Sequence, residues 1–176
     1  MMPRWTRAVG PAALLLSLML LATTWRLRPP APPQLGRPFP AAVLTALGNT
    51  PLLTDADLRQ NRVSVVNLFA SWCMPCRVEA PQLAALQKAG QNSGYAVIGI
   101  AVRDTAGDAA RFVRETGVRF DRGGVDAKGG IQSALQADGI PETYVVDGHG
   151  IIRYRHPGEL RPEHLAALRA AIEDAR

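Results

Sequence analysis

The stretch Val65-Val66-Asn67-Leu68-Phe69-Ala70-Ser71-Trp72-Cys73-Met74-Pro75-Cys76-Arg77 decides the fold. Its first half, apart from Asn67, is apolar and opens on β-branched residues, the pattern of a central strand covered on both faces. Its second half opens a helix, with Pro75 in the first turn, where a missing N–H costs nothing. Cys73 and Cys76 are the only two cysteines of the 176-residue chain. A lone dithiol at the mouth of a strand-to-helix turn is suited to redox exchange. A static disulfide is one alternative, but residues three apart close too small a loop to constrain much. A metal half-site is the other. Zinc wants roughly four ligands, and beyond the cysteines only His149, His156 and His164 remain.

After the dithiol, Val78, Leu83 and Leu86 mark an apolar helix side, and Pro81 predicts a kink. Residues 95–102 read as a second buried strand, introduced by the breaker Asn92-Ser93-Gly94. Residues 104–116 read as a helix with Phe112 and Val113 inward, capped by Asp104, Thr105 and Asp108 and stopped at Gly117. Residues 121–130 are turn-rich, and 131–136 form a short helix. Residues 143–146 and 151–154 are strands joined by Asp147-Gly148-His149-Gly150, a hairpin signal. Pro162 opens a last helix with Leu165, Leu168 and Ile172 on one face. Upstream, residues 42–47 read as a short leading strand, and Thr54-Asp55-Ala56-Asp57 as a capped turn. The order β-α-β-α, short helix, β-β-α predicts an α/β fold. A right-handed crossover makes a parallel pair, the hairpin adds antiparallel strands, and helices cover both faces of a mixed central sheet.

The formal net charge of +5 belongs to the front of the chain. Arg4, Arg7, Arg26 and Arg28 precede every acid, and from Pro29 onward there are 16 basic and 15 acidic residues. A nearly neutral domain without a basic stripe excludes nucleic acid as the expected partner. Those arginines flank an apolar run at 9–25, near the short limit of the roughly 17–25 residues a spanning helix takes. No clean small-residue cleavage site follows it. Six of fourteen prolines then fall between Pro29 and Pro40, a polyproline II composition. The expected organisation is a cytoplasmic N-terminus at 1–8, a transmembrane anchor at 9–25 (or a signal peptide), a Pro-rich spacer at 26–40 and a folded domain at 41–176. Arginines on both sides leave the orientation of the anchor open.

Trp72-Cys73-Met74-Pro75-Cys76 ends the first core strand, Pro81 lies five residues after the second cysteine, and Ile140-Pro141 directly precedes the last hairpin. Together these resemble the thioredoxin fold, with its redox motif, kink proline and cis-proline. A narrower resemblance covers nearly the whole chain. Gly139-Ile140-Pro141-Glu142-Thr143-Tyr144-Val145-Val146-Asp147-Gly148-His149-Gly150-Ile151-Ile152-Arg153-Tyr154-Arg155-His156-Pro157-Gly158 is similar to the corresponding stretch of the DsbE/CcmG family. These are membrane-anchored, periplasmic thiol–disulfide interchange proteins of cytochrome c maturation. Cys-Arg-x-Glu from Cys76 to Glu79, the apolar segment, the spacer and an insertion around 121–130 agree with it. The resemblance implies a protein disulfide reductase, single-pass in the bacterial inner membrane, with its catalytic domain in the periplasm. It would reduce the haem-attachment disulfide of apocytochrome c and be re-reduced by a membrane thiol electron donor. It implies no metal and no cofactor beyond the redox-active disulfide Cys73–Cys76. General periplasmic exchange on other clients, and an apocytochrome-binding assembly module with little turnover, are the competing readings.

Cys73, at the helix N-terminus, is the expected nucleophile, its thiolate stabilised by unpaired N–H groups and the helix dipole. Cys76 is the resolving thiol. Six residues before the first cysteine, thioredoxins hold a buried acid; this chain has Asn67, which cannot take a proton. Glu79, three residues after Cys76 on the same helix face, is the expected proton acceptor. A solvated glutamate paired with an arginine is the alternative. By the resemblance, Pro141 is cis and lies opposite the dithiol. Glu142 is expected at the rim, tuning the thiols or meeting a basic client, with a plain edge-strand acid as the alternative. Trp72, Pro75 and Ile140 are the expected docking surface. The three histidines read as surface residues.

Overall fold

Apolar runs and a pair of glycines build one five-stranded sheet. The structure, a computed structural model, describes Ser17, 34–41 and 43–176. The expected N-terminus at 1–8, the anchor at 9–25 (Ser17 apart) and the first part of the spacer, 26–33, lie outside the described residues. Among the described residues no helix is long and apolar enough to cross a membrane.

β1 (Ser64–Phe69) is the central strand and is buried at every residue. It pairs in parallel with β2 (Ala96–Val102), from Ser64 opposite Ala96 to Phe69 opposite Ala101. On its other side it pairs antiparallel with β4 (Glu142–Val146). β3 (Arg122–Asp126) closes one edge in parallel with β2, and β5 (Ile152–Pro157) closes the other, antiparallel to β4. Burial on both faces explains why the central strands read as unbroken apolar runs. Alternation then divides the core. Val65, Val97 and Val145 face Leu83 and Leu86 of α1 (Met74–Ser93), Phe112 of α2 (Ala106–Thr116) and Leu168 and Ile172 of α4 (Leu165–Asp174). Val66, Ile98 and Tyr144 face Phe39, Leu58 and Ile131 of the short α3 (Gly130–Ala134). The expected mixed sheet with helices on both faces is the observed one.

Four local expectations are corrected. First, the turn-rich 121–130 contains β3. Its glycines answer to crowding rather than to turns. A Cβ on Gly123 would lie 2.5 Å from the Gly99 carbonyl oxygen, and one on Gly124 would lie 2.7 Å from Leu44 Cβ. Second, the leading strand at 42–47 is reduced to isolated bridges, Thr45 with Val125 and Leu47 with Thr50. Third, 34–40 is not free spacer. Gly36 and Phe39 donate their N–H groups to the carbonyls of Ile152 and Gly150, both at 2.8 Å. Phe39 is buried and meets Tyr144 edge-on. One aromatic side chain with a pocket to fill outweighs the prolines around it. Fourth, the buried stripe of α1 runs through Cys76, Glu79, Ala80, Leu83, Leu86, Gln87 and Gly90, which leaves Val78 off it and 54% exposed.

Candidate active site

Parallel β1 and β2 end on the same side of the sheet, so the turns that follow them meet there. Phe69, the last residue of β1, packs between Phe112 and Phe120, with ring centroids 5.0 and 5.3 Å away. The turn after it is tied down by Asp104. That carboxylate accepts the Ser71 N–H at 2.6 Å, the Ser71 hydroxyl at 3.0 Å and the Thr105 N–H at 2.8 Å. Asp104 was expected to cap α2. The cap is Thr105, whose hydroxyl oxygen accepts the Asp108 N–H at 3.1 Å.

Cys73 is the N-cap of α1, and its Sγ accepts the Cys76 N–H at 3.2 Å. The two sulfurs are joined, with Cα atoms 5.3 Å apart, and both cysteines are buried. In the reduced protein the same helix end faces the Cys73 thiolate, where unpaired N–H groups and the dipole favour negative charge.

The Ile140–Pro141 peptide is cis. It immediately precedes β4, whose first residue, Glu142, pairs with Leu68, so it stands where β1 runs into the dithiol. Ile140 is half-buried and packs against the cluster that holds both cysteines. The Pro141 carbonyl accepts the Gly158 N–H at 2.9 Å. Among the described residues the Ile140 N–H and carbonyl have no backbone partner, so an extended peptide can pair with them.

Glu79 is fully buried. Its Oε1 accepts the Asn67 Nδ2–H and its Oε2 accepts the Leu160 N–H, each at 2.8 Å. It is neither solvated nor paired with an arginine. Burial pushes its carboxyl up to about 7, against the pull of those two hydrogen bonds and with a further push from the Glu159 charge. Asn67 Nδ2 also donates to Thr143 Oγ1 at 3.1 Å, and Asn67 Oδ1 is buried without a partner. A carboxyl balanced near neutrality, one helical turn from Cys76, is able to take and return a proton.

Glu142 does not stand at the rim. It is 1% exposed, and its carboxylate accepts Nε–H of Arg155 and the Tyr144 hydroxyl, the latter at 2.9 Å. Burial first, then the adjacent Glu142 charge, pushes the Tyr144 phenol up. The carboxylate is committed to an internal ion pair, and the expected contact with a basic client is corrected accordingly.

The apolar rim lies elsewhere. Trp72 is 63% and Met74 69% exposed, with Pro75 and Val78 beside them in the chain. Trp72 is held by its ring N–H, which donates to the Arg103 carbonyl at 3.2 Å. Met74 and Val78 join this rim, although the sequence pattern places Val78 with Leu83 and Leu86 on the apolar helix side. Nothing local marks Leu160 as the partner of Glu79 or Thr143 as the partner of Asn67. His149 is exposed as expected, whereas His156 and His164 are half-buried and packed together, with centroids 4.4 Å apart. Among the described residues no cluster of histidine, cysteine and carboxylate groups is placed to share a metal ion.

Residues 34–172 match the family model described as redoxin. The chain is 40% identical over 125 residues to the thiol:disulfide interchange protein HelX of Rhodobacter capsulatus, covering 71% of this chain and 69% of that one. It is 32% identical to the thiol:disulfide interchange protein DsbE of Pseudomonas fluorescens across 99% of both. The DsbE of Escherichia coli K12 is 35% identical over 73% of this chain and 68% of its own. Among solved structures, a candidate thiol:disulfide interchange protein DsbE from Chlorobium tepidum superposes with a TM-score of 0.69 at 27% identity, covering 80% of this chain and 96% of that one. The described part of the chain thus has the thioredoxin-like fold.

Proposed function

Because the chain belongs to the redoxin family and to the DsbE-type thiol:disulfide interchange proteins within it, we propose that it reduces the haem-attachment disulfide of apocytochrome c. It is a thiol–disulfide oxidoreductase. The observation that carries the finer reading is the pairing of Cys73, capping α1 under an exposed Trp72–Met74 rim, with a resolving Cys76 one turn from the buried Glu79.

In the proposed cycle the Cys73 thiolate attacks one sulfur of the client disulfide. The client's other sulfur leaves as a thiolate and takes up a proton. Cys76 gives its proton to the Glu79 carboxylate and attacks the Cys73 sulfur. The client's second thiolate leaves, so two electrons have passed to the client and the Cys73–Cys76 bond has formed. Ile140 holds the client main chain beside Pro141, and Trp72 and Pro75 shape the docking surface. A membrane thiol donor returns the enzyme to the dithiol by the same exchange. The apolar segment 9–25 anchors the chain in the bacterial inner membrane, and the catalytic domain works in the periplasm.

Trapping tests this. The Cys76→Ser variant should accumulate a mixed disulfide through Cys73 with peptides carrying the Cys-x-x-Cys-His pattern of c-type haem attachment. Adducts spread over many unrelated clients would favour general exchange instead. Disulfide reduction at the normal rate by Cys73→Ser would overturn the chemistry altogether.

A further inference from the structure

The turn after β5 touches the site twice. Gly158 donates its N–H to the Pro141 carbonyl at 2.9 Å, and Leu160 donates its N–H to Glu79 Oε2 at 2.8 Å. Gly158 has φ 83°, the left-handed conformation that glycine adopts without steric cost.

The N–H of Leu160 belongs to the same peptide group as the carbonyl of Glu159. That group is planar and trans, so its N–H and C=O point to opposite sides and turn together. On the far side, Nε2 of His156 lies 3.3 Å from the Glu159 oxygen, which makes Nε2 the protonated, donating nitrogen. The His156 ring is backed by the His164 ring, 4.4 Å between centroids. His164 Nδ1 in turn accepts the Arg161 N–H at 3.1 Å, from the same turn. One peptide group is therefore held by an imidazole at its oxygen and holds a buried carboxylate at its nitrogen.

We propose that His156 is a positioning residue for Glu79, acting through the Glu159–Leu160 peptide group. The proposal rests on Glu79 as the proton acceptor of Cys76. A peptide fixed with its N–H on Oε2 favours the carboxylate, and a peptide free to turn away withdraws that support. The groups facing His156 are His164 from the turn before α4, Glu142 from β4 and Glu159 from its own turn. Those facing Glu79 are Glu159 and the neutral Asn67 of β1. Burial, with the neighbouring His164, holds the His156 imidazole below its ordinary value, so the ring is neutral where Glu79 titrates. The latch is thus a neutral hydrogen bond at working pH, strengthened when acid protonates the ring.

The test is a carboxyl-carbon NMR titration of Glu79, with the Leu160 amide proton followed in the same samples of the oxidised full chain. His156→Phe keeps a ring against His164 and removes the donor. It should raise the Glu79 midpoint by about one pH unit and shift the Leu160 amide upfield. His156→Leu, a second variant without a donor, should do the same. His156→Gln, which still donates to the Glu159 carbonyl, should restore both signals. A Glu79 midpoint and a Leu160 amide unmoved in a folded donorless variant overturn the proposal. Unaltered client reduction by Glu79→Gln would instead remove Glu79 from proton handling while leaving the titration readout intact, so the two failures are distinguishable.

Discussion

Asn67, in the middle of a strand, donates Nδ2–H to Oε1 of Glu79, in the second turn of a helix, across 2.8 Å, and neither side chain reaches solvent. The amide supports the carboxylate without replacing the water that burial removes, so the carboxyl stays up at about 7.

That position makes stability depend on pH. Glutamate titrates near 4.5 in the unfolded chain and near 7 here. Between those values the native protein keeps a proton that the unfolded chain has lost. The stabilisation is therefore fully present below about pH 4.5 and is lost as pH rises through about 7, by on the order of 3 kcal/mol. Urea midpoints of the oxidised protein should fall across this window, and Glu79→Gln should flatten that part of the slope. A glutamine can keep both bonds, because the unpartnered Asn67 Oδ1 is able to accept its amide after a flip. Equal slopes in both proteins would contradict the assignment.

The Glu142–Arg155 pair should behave as structure. Both side chains are nearly buried, with side-chain exposures of 2% and 11%. Arg155→Met strands a buried carboxylate and should cost about 3–5 kcal/mol in denaturant unfolding. Adding Glu142→Gln should recover much of that loss. A double variant no more stable than Arg155→Met would show that the two groups are not coupled.

Asp104→Ala removes the acceptor for three donors at the turn before the dithiol. The expected loss is on the order of 2 kcal/mol, together with faster hydrogen exchange at the Ser71 amide. Unchanged protection at that amide would mean that Asp104 does not hold the turn.

Trp72→Ala separates docking from folding. The exposed ring predicts a stability change within about 0.5 kcal/mol. Loss of a central aromatic contact predicts a fall of about tenfold in kcat/KM for a peptide disulfide. Reduction of a small-molecule disulfide, which needs no docking surface, should be spared. Equal losses on both substrates would place the tryptophan's effect in the dithiol itself.

The parts of this protein legible in sequence are those whose cause is local. The run into Trp72-Cys73, the Thr105 cap and the hairpin signal at Asp147-Gly148-His149-Gly150 follow from residues a few places apart. Glu79, the acid proposed here as the proton acceptor, is readable because it shares a helix face with Cys76. Its partner Leu160, 81 positions away, leaves no local trace, since a backbone N–H has no sequence signature. Arg155 was closer to view. Tyr144 stands opposite it in the hairpin, two residues from Glu142, so the diagonal pair follows once the register is known. A register shift between Val145 and Val146 hides that register from a simple count. Gly123 and Gly124 signal turns in sequence and so hide β3, while in the fold Gly123 admits the Gly99 backbone and Gly124 makes room for the Leu44 side chain.

The segment before β1 also has a bearing on client handling. Pro38 bridges to Ile151 beside one outer strand, while Thr45 and Leu52 bridge to Val125 and Gly123 at the other. Phe39 N–H donates to the Gly150 carbonyl, and Thr45 and Val125 exchange N–H groups and carbonyls at 3.1 and 2.9 Å. An oxidoreductase that meets unfolded chains risks having them anneal to an open sheet margin as an extra strand. In this protein stretches of both margins are already taken by its own leading segment. Under the proposed function, a visiting polypeptide would thereby be turned away from unproductive strand addition there and toward the backbone groups of Ile140, beside the cluster that holds the dithiol.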